Sequence, residues 1–400
     1  MSRRGKLDWL TQGAEAGRLA GEISVERDWL DDMRPRPFLN GELLSIDSCF
    51  KFKSSGVETT RDHLAYGFDP AAVTKAIETF RQMNDGPAMQ LYSQTRKASF
   101  SLAHSAEFDP AKVVAVGYRP LDRRSLYNAV GFVDWPRPAL QKVWGARNVG
   151  LFAMPVGTNL GPAAWCHGLL PDRHAFRGSY GGYAFPLFDR REGFGPYNLE
   201  ARLVAGLGAA YGEGVTPEAV FDAILCLLSA SSYTTRFAED LEDVFPHIPF
   251  PKDHMVFEWA ARLGAEIRAV ETFARLPGEL YRQGLARAET EPTGPLAGVE
   301  WTDGEIRLCA NGSGRIVNIP SPVWEFAVSG YRLLPRWLAA REGLAIGPNL
   351  IPELRDVAAR IAELIDLFEA ADSILEGTLA DSLGRAALGF DDLEADPGDD

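Results

Sequence analysis

The chain changes character once, at Phe185-Pro186-Leu187-Phe188, and that change limits the fold more than any other feature. Before it, residues 110–190 are rich in Gly, Pro and aromatics, with short alternating or apolar runs of the kind strands make. After it, apolar residues recur at helical spacing. Strands first and helices later point to an α+β fold rather than an alternating β/α one. With 46% hydrophobic residues among 400, a core can form, so disorder throughout is excluded. No fixed-period repeat or sustained heptad is present, which excludes solenoids and coiled coils.

Local patterns place the elements. Cys49–Lys53 alternates like a strand, and Ser54-Ser55-Gly56 breaks it. Pro70–Met83 predicts a helix with Asp69 as N-cap and Val73, Ile77 and Phe80 on one face. Lys112–Tyr118, Asn128–Trp135 and Asn148–Val156 predict strands. Thr216-Pro217 starts a helix to Ser229, and two more follow at Tyr233–Asp243 and Asp253–Leu276. Val299–Leu308 and Arg315–Ile319 predict a hairpin around Asn311-Gly312, its strands rejoining the β core. From Glu353 to Glu376, Leu354, Val357, Ala358, Ile361, Leu364, Ile365 and Phe368 mark a long C-terminal helix.

Charge is unevenly spread. The net charge is −14, but residues 353–400 hold 14 acidic and 3 basic side chains, leaving only −3 for the rest. Residues 111–150 carry seven basic and two acidic side chains. The acidic balance argues against indiscriminate polyanion binding, yet it leaves room for a local basic cleft.

Several chemistries have no motif here. There is no Walker A loop, no His-Glu-x-x-His, no Gly-x-Ser-x-Gly and no Asn-Pro-Pro-Tyr. Cys49, Cys166, Cys226 and Cys309 are widely spaced, as buried free thiols are, and no metal site is expected. No apolar run reaches membrane-spanning length, and Met1-Ser2-Arg3-Arg4 leads into polar sequence. A reducing cytoplasm is the expected location.

An ordered series of segments resembles the C-terminal specificity region of type ISP restriction-modification enzymes. Gly56-Val57-Glu58-Thr59-Thr60-Arg61-Asp62 is similar to that family's "GI-x-T-x-RD", and Tyr118–Tyr127 to "YRPFD-x-R-x-x-Y". Asn148-Val149-Gly150-Leu151 is similar to "NLGL", and Tyr183–Phe188 resembles the "FPLY" strand. Phe221–Pro251, Val323–Tyr331 and Arg336-Trp337-Leu338 continue the series. Departures occur too: Ser229-Ala230-Ser231-Ser232 replaces an "HSP" step, and Ser329 stands where Gly is usual.

The resemblance implies a non-catalytic DNA target recognition subunit acting with a separate methyltransferase chain, in a restriction-modification or phage-defence system. No cofactor is expected in this chain; S-adenosylmethionine is expected in the partner. The fold implied is α+β, a mixed or antiparallel β core with DNA-facing loops, a helical subdomain and a long C-terminal helix. The divisions expected are a lead-in or partner-docking segment at 1–40, a β-rich recognition region at 41–195, a helical platform at 196–380 and an acidic tail at 381–400. Candidate contacts to double-stranded DNA are Lys51, Lys53, Ser54, Ser55, Thr59, Thr60, Arg61, Arg119, Arg123, Arg124, Arg137, Lys142 and Arg147. Arginines suit phosphate and guanine, and hydroxyls suit phosphate. For Arg119 the residues favour an internal pair with Asp122 bracing a turn. Trp324, Tyr331 and Trp337 read as core. A second reading is an assembly protein that keeps the fold without reading DNA and docks through, or mimics DNA with, its acidic C-terminus.

Overall fold

In the computed structural model, residues 42–391 are described together with Phe38, except 93–94, 96–98, 146, 177–180, 194 and 213. Two four-stranded sheets form the first half. Their strands, in chain order, are β1 (Ser54–Ser55), β2 (Tyr66–Gly67), β3 (Val113–Arg119), β4 (Asp122–Tyr127), β5 (Gly150–Ala153), β6 (Ala164–His167), β7 (Leu170–Pro171) and β8 (Tyr183–Pro186). One sheet runs β1-β8-β5-β6, antiparallel throughout. The other runs β2-β4-β3-β7, with only the β3–β7 pair parallel.

The predicted strand at Asn128–Trp135 is replaced by its neighbour. β4 ends at Tyr127, and the chain then turns, with Trp135 forming an isolated bridge to Glu58 rather than a strand. The cause lies upstream: Leu121, with φ 57°, closes a tight turn after β3, so pairing begins earlier.

Helix α1 (Pro70–Gln82) starts as its sequence dictates. Asp69 caps Ala72 N, and Val73, Ile77 and Phe80 are buried. Helix α2 (Pro138–Trp144) buries Leu140, Val143 and Trp144. The second half holds α3 (Ala201–Tyr211), α4 (Pro217–Ser229), α5 (His254–Glu271), α6 (Leu333–Ala339) and α7 (Leu350–Ala380). Tyr233–Asp243 is broken into a helical turn and a 3-10 turn. α7 buries Leu354, Val357, Ala358, Ile361, Leu364 and Phe368, the stripe expected from spacing.

α4 is the centre of this half. Every residue from Val220 to Ser229 is buried, Asp222 included. α5 packs against it so closely that a Cβ at Gly264 would lie 1.8 Å from the Asp222 carbonyl oxygen. Arg268 of α5 then grips Asp222 through two hydrogen bonds of 2.6 and 2.9 Å.

The later strands do not rejoin the β core. Arg287–Ala288, Glu300–Thr302, Glu305–Arg307 and Arg315–Val317 form their own antiparallel sheet. The hairpin around Asn311-Gly312 is present, but Asp303-Gly304 adds a second, since both residues take positive φ.

The start of the predicted acidic tail is folded. Ser382–Leu383 pairs with Phe250–Pro251, and Leu388 and Phe390 are buried. Residues 392–400 lie outside the described residues, as does the 1–40 segment apart from Phe38, which stacks on His247 and Phe237. All four cysteines are free and buried. No described helix is long and apolar enough to cross a membrane.

Replacing Gly264 by Val forces α4 and α5 apart and is expected to cost about 3 kcal/mol. Urea unfolding followed by circular dichroism measures this; an unchanged midpoint contradicts the close-contact account.

Candidate nucleic-acid interface

The two sheets meet where Gly56 crosses the backbone at Asp172–Arg173. A Cβ on Gly56 would lie 2.5 Å from the Asp172 carbonyl carbon, so only glycine fits. Val57 N donates to Pro171 O at 3.0 Å and Arg173 N to Val57 O at 2.8 Å. The segment after β1 thus leaves one sheet and joins the edge of the other.

Around this crossing the predicted residues separate into two groups. Thr59 and Arg61 are buried, and Thr60 is exposed but turns its hydroxyl to the same cluster. Arg61 is fully buried, and its Nη1 donates to Asp134 Oδ1 at 2.8 Å and to Phe132 O at 3.0 Å. Thr60 Oγ1 donates to Asp134 Oδ2 at 3.0 Å, and Thr59 Oγ1 to Asp62. This cluster is a clamp between chain segments, and a buried, satisfied guanidinium has no donors left for DNA.

Arg119 and Arg124, both half-buried, are also held by internal carboxylates. Arg119 Nη1 donates to Asp172 Oδ1 at 2.9 Å, so its partner is Asp172 rather than Asp122. Asp122 instead takes two bonds from Arg124, at 3.0 and 2.7 Å, and one from Arg341 at 3.3 Å. Arg124 also stacks on Tyr118, whose Oη donates to Asp62 Oδ2 at 2.9 Å. Trp324 and Trp337 are buried, as core residues are.

The remaining candidates stay at or near the surface. Ser54 and Ser55 are half-buried in β1, opposite Ala184 and Tyr183. Lys53 pairs with Asp47 at 2.6 Å and lies over the Tyr183 and Phe245 rings. Lys51 Nζ donates to Tyr197 O at 3.0 Å. Arg137, half-buried, reaches Gly56 O at 3.4 Å and stacks on Trp135. Burial, with the neighbouring Arg173 cation, pulls Arg137 below the usual guanidinium range, against the pull of Glu58. Arg123, Lys142 and Arg147 are exposed.

Asn148 fixes the segment that carries Lys142 and Arg147. Its amide donates to Val143 O and Phe188 O, and its oxygen accepts from Val149 N and Phe188 N. Basic residues outside the predicted set join this rim. Arg173 pairs with Glu58 at 2.6 Å, Arg191 pairs with Asp189 at 2.6 Å and stacks on Phe52, and the Arg190 guanidinium packs on Gly145. The Arg190-Arg191 doublet, separated from β8 by three residues, is the sequence signal for two of them.

Among the described residues of the acidic C-terminal stretch, five carboxylates are engaged internally. Asp356 pairs with Arg360, Glu363 with Arg275 and Asp381 with Lys252, while Asp366 accepts from Tyr281 and Asp372 from Ser232.

Behind Arg123 a small cavity of about 20 Å³ lies between β3, β6 and the end of α5, lined by His167 and Glu271 among others. Burial holds Glu271 well above the ordinary carboxylate range, opposed by a hydrogen bond from Cys166 N. Burial pulls His167 down to about 3.

These shifts carry opposite signs in stability. Glu271 keeps a proton that the unfolded chain releases, so its contribution is full below pH 4.5 and is lost as pH rises. His167 refuses a proton that the unfolded chain takes up, so stability falls as pH drops from 6.5 toward 3. Relative to the parent chain, Glu271→Gln is expected to gain about 1.4 kcal/mol per pH unit above pH 4.5, measured by urea unfolding across pH. Arg61→Ala strands the Asp134 carboxylate and is expected to cost about 3–5 kcal/mol by the same measurement, whereas Lys142→Ala stays within about 0.5 kcal/mol.

The fold and sequence have relatives. The structure resembles a nuclease-deletion mutant of the Type ISP restriction-modification enzyme LlaGI solved with a DNA substrate mimic (TM-score 0.58, 17% identity, 86% of this chain, 29% of that one). It also resembles the ATP-dependent Type ISP enzyme LlaBIII bound to DNA (0.60, 16%, 84% and 24%) and the DrdV–DNA complex (0.61, 17%, 84% and 36%). The chain therefore spans about a quarter to a third of the length of each. No curated protein matches the sequence. The model of the Type ISP C-terminal specificity domain matches residues 48–359, more than three-quarters of the chain, and the chain belongs to that family.

Proposed function

We propose that this chain recognises a target sequence in double-stranded DNA for a Type ISP-like restriction-modification system. The observation that carries the reading is the basic rim beside the Gly56 crossing, where Arg137 and Arg173 stand next to each other on a fold whose family is the specificity domain. Two cations side by side with one carboxylate, Glu58, between them suit a phosphate. Lys142 and Arg147 extend the rim, and Asn148 holds their backbone rigid enough to set register.

Methyl transfer is assigned to a methyltransferase chain or domain that holds S-adenosylmethionine, because the sequence carries no methyltransferase motif. A soluble, cytoplasmic complex on DNA is the setting this implies. The internal engagement of the acidic stretch leaves less charge for the alternative, docking of a basic partner or mimicry of DNA.

The test is fluorescence anisotropy of a mixed-sequence duplex titrated with the chain at 50–200 mM salt. Arg137→Ala is expected to weaken binding about tenfold and to reduce the salt slope by about 1. Arg147→Ala acts in the same direction. Equal affinity and slope in both variants and the parent, or no binding by any, contradicts the reading.

A further inference from the structure

The cavity behind Arg123 is lined by polar groups that lack partners. His167 Nε2 and Glu271 Oε1 are both buried, both belong to residues lining it, and neither makes a hydrogen bond among the described residues. Buried polar atoms normally find partners, so two orphans on one cavity mark a missing one. The space is built deliberately: a Cβ at Gly117 would lie 2.6 Å from His167 Nδ1. Its volume, about 20 Å³, admits one oxygen-sized atom and no nucleobase.

The chemistry of the lining selects the occupant. Glu271 Oε2 already accepts from Cys166 N at 2.6 Å, which leaves Oε1 as the oxygen that carries the proton when the carboxyl is neutral. A neutral imidazole supplies a second N–H donor. Arg119 and Arg123 also line the cavity. Arg119 is shared with Asp172, but Arg123 makes no hydrogen bond or ion pair among the described residues and rests on the Phe273 ring at 3.9 Å. Arg360 stacks on the same ring at 4.1 Å, and its own carboxylate, Asp356, is held by two hydrogen bonds. Arg123 therefore faces the like charge of Arg360, and although Asp356 and Glu353 attract it through space, neither forms an ion pair with it among the described residues. Phe273 keeps a left-handed φ of 61° to serve as this platform, a conformation that disfavours bulky side chains.

We propose that the cavity is an oxyanion site, taking one oxygen of a phosphate between His167, Glu271 and the Arg123 guanidinium. The phosphate belongs either to the DNA backbone, which rests on the function proposed above, or to a free phosphate ion, which does not.

The test is ³¹P NMR of inorganic phosphate titrated with the full chain. The parent chain is expected to broaden the phosphate line, and Arg123→Ala and His167→Phe to reduce that broadening at least fivefold. Arg123 is exposed, so its variant keeps the fold even where His167→Phe does not; thermal melts verify this. No broadening by the parent, or equal broadening by a folded Arg123→Ala, overturns the proposal and leaves a water site. A mixed-sequence duplex that restores a sharp phosphate line assigns the site to DNA phosphate. A line that stays broad at duplex saturation assigns it to a free oxyanion. Loss of all duplex binding with phosphate broadening intact refutes the DNA reading while the site stands.

Discussion

One residue, Asp172, ties the two sheets together. Asp172 accepts from Tyr66 Oη at 2.8 Å, Arg119 Nη1 at 2.9 Å and His174 N at 2.8 Å. Tyr66 belongs to β2 and Arg119 ends β3, so one side chain spans its sheet, while its backbone carries the Gly56 crossing into the other. An unpaired carboxylate at that depth would cost several kcal/mol; a guanidinium and two further donors make it tolerable. The crossing in turn decides what reaches the surface. Arg137 is held by the Gly56 carbonyl and Arg173 follows Asp172 directly, so the basic rim inherits its geometry from a buried node.

The helical half is bound to this node through a second shared acid. Asp122 joins Arg124 of β4 to Arg341 just after α6, and Arg341 stacks on both Trp337 and Phe68. On the other side Glu271, the last residue of α5, accepts the Cys166 N–H of edge strand β6. An open strand edge is a pairing hazard, and here a carboxyl group covers one of its donors. These contacts make the helices a base for the sheets rather than a separate body. They also explain why α4 is buried on every face, since helices pack on one side and β6 on the other.

Sequence periodicity disclosed the helices well because burial and spacing agree there: Val73, Ile77 and Phe80 in α1, and Leu354 to Phe368 in α7. It misplaced a strand at Asn128–Trp135 because a turn made by Leu121 at positive φ shifts the pairing, and Leu carries no turn signature. The candidate interface was half legible. Residue type cannot tell an arginine that meets solvent from one that holds a core together, so Arg61 reads the same as Arg137 and Arg147, and for Arg119 the internal pair is legible but its partner is not. The distinction depends on Asp134 and Asp172, which are distant in sequence and reveal themselves only in three dimensions. The His167–Glu271 cavity left no sequence trace at all, because its two orphan groups lie over a hundred residues apart on different elements.

This sorting of the arginines bears on how a chain of net charge −14 would hold DNA. Of the predicted cations, Arg123, Arg137, Lys142 and Arg147 stay at least partly exposed without a carboxylate partner of their own within ion-pair distance among the described residues. If all four met phosphates, the salt slope would be about −3.6, and affinity would fall about a hundredfold between 50 and 200 mM salt. A reader with six to ten contacts loses about a thousandfold or more over the same range. So few contacts favour placement over bulk attraction. In the proposed function, a rim of rigidly mounted cations sets the register of the duplex, and further protein surface supplies the remaining grip. The similar solved chains are more than twice as long as this one, which leaves room for such surface.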